Sequence, residues 1–73
     1  MSARPIDSIR AIQIAEAQCN GNSSALLCID DAKRCRARGL HGYAIKRALA
    51  SVEHSVGRRH PAAAALAELA ELA

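Results

Sequence analysis

Six side chains in the sequence have the chemistry to hold a metal or to act as nucleophile and base: Cys19, Cys28 and Cys35, and His41, His54 and His60. Cys28 and Cys35 stand seven residues apart, which on a helix puts them on one face, about 10 Å apart along the axis. That separation is too long for a disulfide and does not match the C-x2-C spacing of a structural zinc site. Both read as small core hydrophobes. Cys19, at a helix end, reads as the accessible thiol. Cys35 and His41 lie either side of a turn, but no third group is placed to orient the imidazole as a base. Asp30 and Asp31 are neighbours on a helix and point about 100° apart, so they read as solvated rather than as an acid/base pair. Gly39-Leu40-His41-Gly42 has two glycines, but no strand leads into it and no Gly-Lys-Ser/Thr follows, so it reads as a turn and not a phosphate loop. These residues predict no catalytic site, no metal and no cofactor; the protein is expected not to be an enzyme.

The stronger signal is charge. The formal net charge is +3, and eight of the ten Lys and Arg residues fall between positions 33 and 59. Lys33, Arg34, Arg36 and Arg38 precede the glycine turn, Lys46 and Arg47 follow it, and Arg58 and Arg59 come later. Helix C-termini favour cations in any case, so part of this pattern belongs to helix electrostatics. The remainder makes Arg34, Arg36, Arg38, Tyr43, Lys46 and Arg47 the candidate partner-binding residues.

The elements that must carry them are helices. Alanine dominates, Phe and Trp are absent, and Tyr43 is the only aromatic residue. Ala, Leu, Arg and Glu are strong helix formers, and no run alternates with the period of a strand. Pro5 suits a first helical turn, and Asn20-Gly21-Asn22-Ser23 is a stop followed by a cap. A first helix is therefore predicted from about Pro5 to Gln18 or Cys19. A second, capped by Asn22 or Ser23, ends at Gly39. A third, from about Gly42 to Val56, has its apolar stripe at Ile45, Ala48, Leu49, Val52 and Val56, and Gly57 follows it. Pro61 opens an Ala/Leu/Glu segment too short to be stable alone. The expected architecture is all-α: a compact three- to four-helix bundle with an αα-hairpin at its centre. Residues 1–60 form the body, and 61–73 pack on it or on a second subunit. The first helix is apolar on two sides, Ile9, Ile12 and Cys19 on one and Ile6, Ile14 and Ala17 on another. That pattern and the small size predict a homo-oligomer, most simply a dimer.

Around the turn, Cys35, Gly39, Leu40, Ile45 and Ala48 resemble the small residue, turn glycine and buried positions of a helix-turn-helix. The resemblance implies that Gly42, Tyr43, Lys46 and Arg47 begin a helix that enters the major groove of DNA. Arg34 and Arg38 stand where that motif carries apolar residues. The first five residues lack the apolar run of an export signal, and no apolar stretch approaches the roughly 20 residues of a membrane span. With an odd set of thiols, this predicts a cytoplasmic chain with no membrane partner. The functional expectation is a small adaptor or inhibitor, of the kind found among phage and mobile-element accessory proteins, binding an acidic surface of another protein. A DNA-binding regulator is the alternative.

Overall fold

A computed structural model describes residues 4–71. They form four helices, α1 (Pro5–Gln18), α2 (Ser23–Ala37), α3 (His41–Val56) and α4 (Pro61–Glu71). The expected boundaries hold to within about a residue, and the all-α bundle with a central αα-hairpin is the fold. The last segment carries leucines at 66, 69 and 72; Leu66 and Leu69 are described and Leu72 lies outside the described residues.

Four of the helix ends have a clear local cause. At the start of α1, the Asp7 carboxylate reaches back to accept the backbone N–H of Arg4 at 3.3 Å and its guanidinium at 3.2 Å. It thereby satisfies a donor the helix cannot. At α2 the Asn22 side chain accepts from the Ala25 N–H at 3.0 Å, as an N-cap should. The far end of α2 closes in a Schellman turn: Leu40 N–H donates to the Cys35 carbonyl at 2.9 Å, and Gly39 N–H to that of Arg36 at 3.0 Å. This turn needs a left-handed residue, and Gly39 supplies it with φ +80°. At α4, His60 precedes Pro61, and its Nδ1 accepts the Ala62 N–H at 3.0 Å.

Three contacts fix the direction of α3 against α1. Ser8 Oγ lies 2.9 Å from His41 Nδ1 near the start of both helices. Near their ends, the Cys19 thiol donates to the Ser51 carbonyl at 3.4 Å and the Ser55 hydroxyl to that of Gln18 at 3.0 Å. The two helices therefore run side by side in the same direction, and the short connections make α2 and α4 run the other way. α1 and α3 each pack on all the other helices, while α2 and α4 do not touch each other. In section this is a rhombus with α1 and α3 on the short diagonal. The principal extents, 30 × 22 × 13 Å, describe a slab of that shape, with α1 along the middle of one broad side and α3 along the other.

The slab is thin because its core is built from small side chains. Ala11, Ala15, Ala25, Ala32, Ala44, Ala48 and Ala63 are buried, and among the described residues only Ile12, Ile29, Ile45, Val52, Leu66 and Cys19 add apolar bulk. Alanine at the contacts lets helix axes approach closely. Ile45, Ala48 and Val52 are buried as their spacing predicts, whereas Leu49 is only half-buried and Val56, in the last turn of α3, is exposed. Cys19 departs from expectation. It is fully buried because the start of the α1–α2 connection lies against α3, where its thiol finds the Ser51 carbonyl. Cys28 and Cys35 are half-buried. No described helix is long and apolar enough to cross a membrane.

Candidate functional site

The six candidate residues lie at or near the corner where α2 turns into α3, and the structure divides them between two sides of the slab. Asp31 and Arg47 form an ion pair at 3.0 Å, which marks the seam between the outer faces of α2 and α3. One and two turns beyond Asp31, Arg34 and Arg38 share its side of α2. On α3, Tyr43, Lys46, Arg47, Ala50 and His54 form one stripe, and all five are exposed. Arg34, Arg38, Tyr43, Lys46 and Arg47 therefore occupy a single face on the α3 side of the slab. Arg36 does not join them. It lines a cleft between α1 and α2 with Ile9, Ile12 and Gln13.

Partnering separates these cations further. Arg47 is committed to Asp31, and Lys33, outside the candidate set, to Glu16 at 3.1 Å. Among the described residues Arg34, Arg36, Arg38 and Lys46 have no carboxylate within ion-pair distance. Lys46 Nζ instead sits over the Tyr43 ring, 5.7 Å from its centroid, an attraction that steadies both side chains. The three arginines sit in or next to the last turn of α2, where the helix dipole offsets part of their repulsion.

Sequence reasoning left out two apolar members of this face. Leu27 is 70% exposed and Leu40 45%, beside Tyr43 at 60%. Leu27 lies one turn before Asp31 on the same side of α2, and Leu40 is the residue before α3. Leu27 was detectable, because it falls off the stripe of Ala25, Ile29 and Ala32 that buries α2. The Ser8–His41 contact could not be read from sequence: the two are 33 residues apart and belong to no motif. Ser8 is wholly buried and also bonds the Pro5 carbonyl at 2.9 Å, so its hydroxyl ties the start of α1 to α3 and is closed to any substrate. Among the described residues no three Cys, His, Asp or Glu side chains converge on a metal-sized site.

The α2–α3 corner can be compared with a helix-turn-helix through the same ion pair. Asp31 lies eight residues before Gly39 and Arg47 eight after it. Helices crossing near a right angle, as in that motif, would separate the two positions by roughly 17 Å at 1.5 Å per residue. One Asp and one Arg side chain do not span that distance, yet their charged atoms meet at 3.0 Å. The corner is folded into a tighter hairpin, with α3 flush beside α2 rather than standing proud of it. Comparison with protein-family models, with curated proteins and with solved structures returned no match to this chain.

Proposed function

We infer that this is a small, non-enzymatic adaptor or inhibitor that works by binding another protein through the outer face of α2 and α3. The observation that carries this reading is the composition of the face: Leu27, Leu40 and Tyr43 stand exposed among Arg34, Arg38 and Lys46, cations with no carboxylate partner among the described residues. Interfaces draw their energy from a few aromatic, apolar and Arg anchors, while charges at the rim steer the encounter and select against wrong partners. The partner is an acidic surface with an apolar centre. Masking such a surface is how a chain without catalytic groups inhibits. The thiols fit a reducing, cytoplasmic setting.

DNA binding by the same residues is the second reading. Its support is that Tyr43, Lys46 and Arg47 project from the exposed side of α3, where the helix-turn-helix resemblance puts base and phosphate contacts. The flush hairpin and the exposed leucines favour a protein partner instead.

One experiment distinguishes the two. The protein is immobilised and challenged with nuclease-treated lysate at low and moderate salt, beside a variant carrying Arg34→Glu and Lys46→Glu. A stoichiometric protein retained by the wild type and lost by the variant is the expected result. Capture of nucleic acid alone, with log affinity falling by about 0.9 per phosphate neutralised for each decade of salt, would replace the first reading by the second.

A further inference from the structure

The opposite broad side of the slab has a different pattern. α1 runs along its middle, and its outward stripe of Ile6, Arg10, Gln13 and Ala17 is exposed. Ile6 and Ile9 show 56% and 38% of their surface to solvent. On one flank, a cleft of about 230 Å3 between α1 and α2 is lined by Ile9, Ile12, Gln13, Arg36 and the mutually paired Glu16 and Lys33. On the other, a second cleft of about 230 Å3 between α1 and α4 is lined by Arg10, Ile14, Ala65, Glu68 and Leu69. Neither Arg36 nor Glu68 makes an ion pair among the described residues. The two clefts lie level with each other, one reaching from position 9 to 16 of α1 and the other from 10 to 14. Beyond the internally paired Lys33 and Glu16, this side thus carries the unpaired Arg36 on its α2 flank, Glu68 at a similar height on its α4 flank, and Ile6 near the middle.

We propose that this side is the contact surface of a homodimer, made with a second copy of this chain about a two-fold axis that runs along α1. A half-turn about that axis keeps the two α1 helices parallel and exchanges the flanks. Arg36 of each copy then faces Glu68 of the other, Ile6 meets its counterpart across the axis, and Ile9 of each copy turns toward the α1–α4 flank of the other. An isologous contact must be complementary to itself. An axis lying across α1 in the same plane would oppose Arg36 to Arg36 and Glu68 to Glu68, so the charge pattern selects the parallel arrangement. Arg10, beside its own Glu68, leaves the α4 flank acidic through Glu71, which is exposed one turn further on. Burial of Ile6 and Ile9 also supplies apolar contact that a chain of this size cannot find within itself. The surface lies on the side of the slab away from Tyr43 and Lys46. A dimer would therefore present two α2–α3 faces outward, and it stands or falls separately from the partner reading.

The test is the mass in solution, by light scattering or sedimentation equilibrium, over a wide concentration range at low and high salt. The wild type is expected to approach twice the 7.7 kDa of the chain. Ile6→Lys, an exposed change that leaves the helical circular dichroism intact, is expected to stay monomeric. Arg36→Glu and Glu68→Arg should each raise the dimer dissociation constant by about tenfold or more, since a single change acts at both symmetry-related pairs. The double variant carrying both reversals should recover most of that loss. A mass of 7.7 kDa at every concentration would overturn the proposal. So would a dimer indifferent to Ile6→Lys, or a double variant no tighter than either single one.

Discussion

Replacing Leu66 by Ala tests how α4 is held. α4 buries only Ala63 and Leu66, with Leu69, Ala62 and Ala70 partly covered, and it docks on α3 and α1 but not on α2. Alanine is at least as good a helix former as leucine, so the substitution removes docking energy without penalising the helix itself. Leu66 is fully buried. Leu→Ala at such sites costs about 3–5 kcal/mol, the lost transfer energy plus the cavity left behind. An 11-residue helix released from its support is unstable in water. The loss should therefore fall first on α4 and only then on the body. In native-state hydrogen exchange, amides 64–71 of Leu66→Ala should lose nearly all protection while those of α2 keep theirs. The main thermal transition should fall by roughly 12–40 °C, at about 4–8 °C per kcal/mol for a domain of this size, to the extent that it includes α4. Protection in α4 equal to that in α2, in the variant as in the wild type, would refute the argument that one side chain anchors the element.

Three further perturbations read other parts of the molecule. Gly39→Ala places a Cβ where nothing lies within 4 Å, but at φ +80°; the cost is backbone strain alone, about 1–2 kcal/mol, measurable by urea denaturation. The Arg4 guanidinium, by hydrogen bonding to Asp7, holds its carboxyl below the ordinary aspartate range. That contribution to stability is complete above the unfolded value of about 3.9 and is lost as pH falls through the lower folded value. Wild type and Asp7→Asn should thus differ in melting temperature at neutral pH and converge in strong acid. Cys19, buried against Ser51, should react with a thiol reagent only as fast as the protein opens, whereas Cys28 and Cys35, half-buried, should react sooner; mass mapping of the first modified site checks the order.

Features fixed by short-range chemistry were legible in the sequence. Pro5, Asn22, Gly39, Gly57 and Pro61 mark helix ends through φ preferences and side-chain caps that need no tertiary partner, and the α3 stripe of Ile45, Ala48 and Val52 announces its buried face. What was not legible depends on which helix packs where. The accessibility expected of Cys19 failed because the carbonyl that covers it belongs to Ser51, 32 residues away. For the candidate face, grouping Arg34, Arg36 and Arg38 by proximity in the chain hid a rotation. Residues two apart on a helix point about 200° apart, so Arg36 turns toward α1 while Arg34 and Arg38 turn away. Leu27 lies on the polar side of α2, where a lone apolar residue carries no periodicity that would mark it as part of a binding face.

Whether the outer face of α2 and α3 binds an acidic protein surface is decided by titrating the captured partner against three variants. Tyr43→Ala removes an exposed aromatic anchor, Arg34→Glu reverses a free cation on the same face, and Ala64→Glu alters an exposed position on α4. Affinity losses of at least about tenfold are expected for the first two, the size of an interface anchor, and none for the third. Equal binding by all four proteins would mean that the basic face is merely solvated and that the partner docks elsewhere.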